Sequence, residues 1–209
     1  MTRPGLRERK KQRTRDALLR AALELFTTKG FEETTVDEIV EAVDVSQRTF
    51  FRHFANKQET AFAVPEMLET RFLEALRERP AGEPPFAALR GAALDSWDAM
   101  GEAIEEVVPV ELHMRAYQMI ESTPSLLAAH LHRSTEMEER IADILAAREG
   151  LDPADPRPRV LIAAFSGVMR SAGRLWATGE DISVASMRTT TEAYLNQLGP
   201  ALAEDWHRS

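Results

Sequence analysis

Cysteine is absent from the 209 residues. That excludes disulfides, thiol nucleophiles and thiolate zinc sites, and it suits a reducing compartment. Long apolar runs are missing as well. The longest, Val160 to Met169, falls far short of the ~20 residues that span a bilayer, so no membrane segment is expected. The first residues are basic but lead into RERKKQRTRD, without the apolar stretch of a signal peptide, and the expected location is the cytoplasm. Phosphate loops of the GxGxxG or GxxxxGK type do not occur, nor do HExxH or GxSxG. The five histidines are scattered; His130 and His132, two apart on a helix, would face different ways and share no metal. Glu105 with Glu106, and Glu138 with Glu139, read as solvated faces. With no constellation to carry catalysis, a metal or a cofactor, the chain is expected not to be an enzyme.

Strand patterns are lacking too, and helical ones fill the space. Apolar residues make up 44% and charged residues 29%, an ordinary balance that allows one or two domains with a sizeable core. The net charge of −8 is unpromising for a polyanionic partner, yet it is unevenly shared. Residues 1–57 carry 12 Lys and Arg against 9 Asp and Glu, net +3; residues 58–209 carry 14 against 25, net −11. A basic front and an acidic remainder fit a chain in which only the front meets phosphates.

The front is organised around TTVDEIVEAVDVSQRTFFRHFANK, Thr34 to Lys57. Val36, Ile39, Val40 and Val43 fall at i, i+3, i+4 and i+7, the stripe of a short helix. Thr35 with Glu38 forms a capping box that starts it. The helix should stop near Asp44. Ser46 then caps a second short helix, Gln47 to about Phe54, with Phe50 and Phe54 on one face and Gln47, Arg48 and Arg52 elsewhere. Upstream, a helix from about Arg13 would lay Leu18, Ala21, Ala22, Leu25 and Phe26 over this hairpin, with Gly30 as C-cap and Phe31 folding back. Arg3, Arg7, Arg9, Lys10, Lys11, Arg13 and Arg15 make a basic N-terminal arm, suited to phosphates or a minor groove, or else a solvated tail. Such a hairpin occurs in many α-proteins. It is also the outline of a DNA-reading helix-turn-helix, and Gln and Arg are side chains that bond base edges.

The segment TTVDEIVEAVDVSQRTFFRHFANKQE, preceded by AALELFTTKGF, resembles the DNA-binding head of the TetR family of bacterial transcription regulators, over roughly residues 10–60. The resemblance implies an all-α fold: a three-helix DNA-binding domain over 1–55, then a helical bundle over 56–209 for ligand binding and dimerisation. It implies a double-stranded, near-palindromic DNA operator and, most often, repression relieved by a small-molecule effector. Carried over by position, it makes Gln47 and Arg48 the base readers, with Thr49 beside the backbone and Ser46 also among the DNA-binding residues. Thr35, His53 and Lys57 become candidates for phosphate contact. Phe51 departs from the tyrosine many members have there; the hydroxyl bond is lost, and Arg52 is placed to compensate.

In the remainder, Asn56 with Glu59 opens a helix carrying Phe62, Met67, Leu68, Phe72 and Leu76, with a kink or restart expected at Pro65 and a break at Pro80. Further helices are expected from about Phe86 to Val107, from Pro109 to about Glu121, and from Pro124 to about Arg148. The last two should run from about Arg157 to Thr178 and from Ser183 to Trp206. Leu161, Phe165, Val168, Met169, Ala172, Leu175 and Trp176 stripe the first; Val184, Met187, Tyr194, Leu198 and Leu202 stripe the second. The resemblance implies a homodimer through this pair. Trp97, Met100, His113, Met114, Tyr117, Phe165 and Met169, with Arg170 and Arg174 beside them, are core residues by their chemistry. The resemblance turns them into candidate walls of an effector cavity. SQRTFFRHF with EPPFAALR is similar to a branch tied to mycofactocin or acyl-CoA-like ligands; methionine walls suit a flexible apolar chain, and an arginine its polar end. The alternative reading is a helical small-molecule-binding protein, or a protein–protein adaptor, without sequence-specific DNA binding.

Overall fold

Side-chain caps at Thr35, Ser46, Asn56, Asp155 and Ser183 mark helix starts along the chain. In a computed structural model describing residues 5–203, the chain is all-α, with nine helices and no strand among the described residues. Thr2, Arg3, Trp206 and His207 lie outside them. The helices are α1 (Leu6–Lys29), α2 (Val36–Ala42), α3 (Gln47–Phe51), α4 (Lys57–Glu78), α5 (Pro85–Glu105), α6 (Val110–Ser122), α7 (Pro124–Arg148), α8 (Pro156–Ala177) and α9 (Val184–Leu202). They form two compact units. One holds the residues up to Met67 together with Glu102–Leu126; the other holds Leu68–Gly101 and the residues from Leu127 on.

In the first unit, α1 begins at Leu6 instead of near Arg13. Arginine, lysine, glutamine and glutamate all favour helix, and nothing after Gly5 breaks it, so the described part of the basic arm is helical. Leu18, Leu19, Ala22, Leu23 and Phe26 of α1 are buried, whereas Leu25 is only half-buried. Gly30, at φ +105°, ends α1, its N–H donating to Phe26 O at 3.1 Å. Phe31 then meets the Phe26 ring edge-on at 5.1 Å. α2 ends in a left-handed residue, Asp44 at φ +55°; Asp44 N bonds Glu41 O at 3.1 Å and Val45 N bonds Val40 O at 3.0 Å. That paired pattern turns the chain sharply into α3. α3 is shorter than expected, ending at Phe51. Ile39, Val40, Phe50 and Phe54 complete this small core. α6 packs on α1 and buries Leu112, Met114, Ala116 and Ile120. α4 passes through Pro65 as a single helix, so the chain does not restart there.

In the second unit Leu73, Leu76, Leu89, Ala92, Ile141, Leu145, Ile162, Phe165 and Leu195 form the core. Arg148 caps the end of α4, donating to Arg79 O at 2.8 Å and Pro80 O at 2.9 Å. Arg90 reaches Glu192 at 3.0 Å, and Arg188 reaches Asp98 at 2.6 Å, tying α9 to α5. α8 and α9 pack along each other. The buried positions of α9 are Met187, Thr191 and Leu195, not the whole stripe read from sequence. Tyr194 and Leu202 of that stripe are exposed, because one turn of α9 seats the seam through Thr191.

Candidate nucleic-acid interface

The two helices of the reading hairpin are fixed by polar side chains at their starts. Thr35 Oγ1 accepts from Glu38 N at 3.3 Å while Glu38 Oε2 accepts from Thr35 N at 2.9 Å, the reciprocal box expected. Glu38 also pairs with Lys29, and these bonds hold its carboxyl well below the usual range. Ser46 Oγ accepts from Thr49 N at 3.2 Å and lies 3.0 Å from Thr49 Oγ1. Since Phe50 is wholly buried, the opposite side of α3 faces out.

That outward side carries Gln47, Arg48, Phe51 and Arg52, all exposed. Gln47 donates its side-chain N–H to the Asp37 carboxylate on α2, which orients its amide. Nothing in the sequence pattern paired those two. The guanidinium groups of Arg48 and Arg52 make no hydrogen bond or ion pair among the described residues. Phe51 is 52% exposed and meets Phe50 edge-on at 5.4 Å. An apolar ring left in solvent beside two arginines suits apolar contact with a base or sugar.

His53 is half-buried, and its Nε2 is shielded from solvent without a hydrogen-bond partner. Burial, and then the positive charges of Arg52, Lys11 and Arg15, hold the imidazole below its ordinary pKa. Arg15 lies over the Phe54 ring at 5.0 Å. Hence α1 contributes cations to the same patch. Sequence reasoning placed Lys11 and Arg15 in an arm; their i, i+4 spacing is the signal that would have put them on one face of a helix.

Lys57 sits elsewhere. Its ammonium faces the loop between α1 and α2 and donates to Phe31 O at 2.5 Å and Thr34 O at 2.9 Å.

The candidate effector residues divide between the two units. His113, Met114 and Tyr117 belong to α6 in the first; Trp97, Met100, Phe165, Met169, Arg170 and Arg174 belong to the second. His113 is only 4% exposed, and burial pushes its pKa down to about 4. Its imidazole makes no hydrogen bond among the described residues. Burial, and then Glu121, whose carboxylate holds the hydroxyl, raises the pKa of Tyr117. Met100, Met114 and Phe165 are buried, while Trp97 and Met169 are half-buried. Arg170 is occupied by Glu138 at 2.6 Å, and Arg174 is exposed. No helix among the described residues is long and apolar enough to cross a membrane.

Two family models match. The model of bacterial regulatory proteins of the tetR family covers residues 18–64, and that of the MftR C-terminal domain covers 83–203. The chain is 47% identical over 206 residues to the HTH-type transcriptional regulator TcmR of Streptomyces glaucescens, spanning 98% of this chain and 91% of that one. It is 28% identical over 166 residues to the putative mycofactocin biosynthesis transcriptional regulator MftR of Mycobacterium tuberculosis, spanning 78% and 79%. Among solved structures, NalD, the secondary repressor of the MexAB-OprM multidrug efflux pump in Pseudomonas aeruginosa, superposes with a TM-score of 0.63 at 20% identity, covering 90% of this chain and 96% of that one. At that identity the likeness concerns the fold.

Proposed function

The chain belongs to the TetR family of bacterial transcription regulators, and from that premise we propose that it is a homodimeric repressor released from a near-palindromic operator by a small apolar effector. On this reading residues 1–55 read DNA, and 56–209 pair the subunits and hold the effector. The observation that carries it is the outward face of α3, where Gln47 and Arg48 stand exposed at the start of a helix whose other side is anchored by Phe50. Gln47 and Arg48 address base edges, while Thr35, Thr49, Arg52 and His53 address the sugar–phosphate backbone.

A dimer must present two such faces about one DNA turn, ~34 Å, apart or a multiple of it. Val160 and Leu175 of α8 and Tyr194 and Leu202 of α9 remain exposed on a helix pair that buries Ile162, Phe165, Trp176, Met187 and Leu195, and a second copy would cover them. An effector lowers DNA affinity only by as much as it prefers the non-binding arrangement. His113 supports an acyl-type or similar molecule. The residue is 4% exposed and its imidazole is held toward the neutral form by burial, and a neutral imidazole can donate its N–H to a ligand carbonyl.

The test is binding of the purified protein to duplexes from the region upstream of its own gene, in competition with arbitrary-sequence DNA, alongside its mass in solution. Salt-dependent, sequence-selective binding by a dimer is expected, with Leu175→Glu giving a monomer that loses selective binding. A wild-type monomer that ignores those duplexes would overturn the proposal.

A further inference from the structure

By charge, a lysine is out of place at Lys57, the first residue of α4. The free N–H groups of a helix start carry positive potential and favour an anion. Helix preference therefore does not account for it. Its surroundings do. The ammonium donates to Phe31 O at 2.5 Å, Thr34 O at 2.9 Å and, more weakly, Glu32 O at 3.4 Å. It also stands 4.2 Å from the centre of the Phe31 ring. An ammonium has three protons to donate, and three carbonyls converge on this one. The loop they belong to, between Gly30 and Thr35, is held at its other contacts too. Thr34 Oγ1 donates to Gly30 O at 2.7 Å, and Ser125, in the first turn of α7, donates to the Glu32 carboxylate. The same loop delivers Thr35, whose side chain caps α2.

We propose that Lys57 is a positioning residue that clamps the α1–α2 loop to the start of α4, and that it does not grip a DNA phosphate. A phosphate could draw the ammonium away only by stripping the Phe31 and Thr34 carbonyls of their donor, in a part-buried place. The clamp sets where α2 starts relative to α4, and so where the hairpin stands. The DNA arm of its test rests on the DNA-binding reading above; the clamp itself does not.

The decisive measurement is nitrogen-edited NMR of the side-chain ammonium in the full-length protein, first free and then with an arbitrary-sequence duplex of about 30 base pairs at low salt. The Lys57 ammonium signal should be protected from solvent exchange before DNA is added, and its shift should stay put on titration. A signal that appears or moves only with DNA would overturn the proposal. On the same duplex over about 50–200 mM KCl, Lys57→Met should bind more weakly with the wild-type slope of log K against log salt, whereas Arg52→Ala should flatten that slope by about 0.9. A slope flattened equally by Lys57→Met would overturn it. Lys57→Arg separates the roles again, because a phosphate accepts the planar fork readily, whereas Phe31 O at 2.5 Å and Thr34 O at 2.9 Å, with the Phe31 ring at 4.2 Å, are spaced for a compact ammonium. Full rescue by arginine would refute the clamp. If the methionine variant fails to fold, the wild-type NMR and the arginine variant still decide. If no duplex binds at all, the DNA reading fails, while the free-protein signal still tests the clamp.

Discussion

Lowering the pH should tighten DNA binding through His53. In the free protein, burial first, then Arg52 beside it and Lys11 and Arg15 on α1, keep the imidazole below its ordinary pKa, so it is neutral at pH 7. Its Nε2 has no partner to lose. A DNA phosphate arriving at this patch reverses the balance, because it offsets three positive charges and gives the imidazolium an acceptor. Binding then takes up a fraction of a proton approaching one. Linkage makes the affinity rise by up to about tenfold per pH unit, equivalent to about 1.4 kcal/mol, between the free and bound pKa values. Stability should move the other way. A histidine whose folded pKa lies below its unfolded value contributes stability that is present above the unfolded pKa and is lost as pH falls through the folded one. His113, pushed down to about 4, stays neutral throughout the range. Fluorescence anisotropy on one duplex at constant ionic strength, from about pH 8 to 6, gives the slope for wild type and His53→Gln. The wild type should gain affinity on acidification, and the variant should lose most of that gain. Equal slopes for the two would remove His53 from the phosphate contacts.

Arg48→Ala should relax discrimination at one base pair by ~1–3 kcal/mol, read by competition among single-base operator variants, with little change on arbitrary DNA. Equal losses on both would take it off the base-reading list. Ser46→Ala removes the acceptor for Thr49 N and should cost ~1 kcal/mol in urea unfolding, with a larger fractional loss of operator binding because α3 has only five residues. Gly30→Ala puts a side chain at φ +105° and ψ 149°, a region kept almost wholly by glycine, and should cost about 1–3 kcal/mol of stability by the same measurement.

Local chemistry was the legible part of this chain. Thr35 with Glu38, Ser46 and Gly30 each announce a helix end through bonds within four residues, and each forms as read. Of the box read at Asn56 and Glu59 one half forms, Glu59 N donating to Asn56 Oδ1 at 2.8 Å, while the Glu59 carboxylate accepts from Ala55 N instead of Asn56 N. The pairing of Pro109 and Pro124 with the starts of α6 and α7 is equally local. The family likeness adds the third dimension, since periodicity alone fits many helical hairpins. What misled was composition. A run of arginines and lysines looks like a tail, yet those residues favour helix, and α1 extends through them from Leu6.

Partner choice among charges was not legible, because it is decided by groups far apart in the chain. Arg170 meets Glu138, 32 residues away, and Lys57 meets carbonyls 23 to 26 residues away. The net +3 of the front therefore overstates some cations and understates others. Lys29 is neutralised by Glu38, and Lys57 is turned inward to the loop. Arg48 and Arg52 remain exposed on the outward side of α3, joined by Lys11 and Arg15 around His53. Only charges not already satisfied inside the protein can release counterions from DNA. The electrostatic footprint should thus include Arg48 and Arg52, and substituting these two should flatten the salt dependence where substituting Lys29 or Lys57 does not.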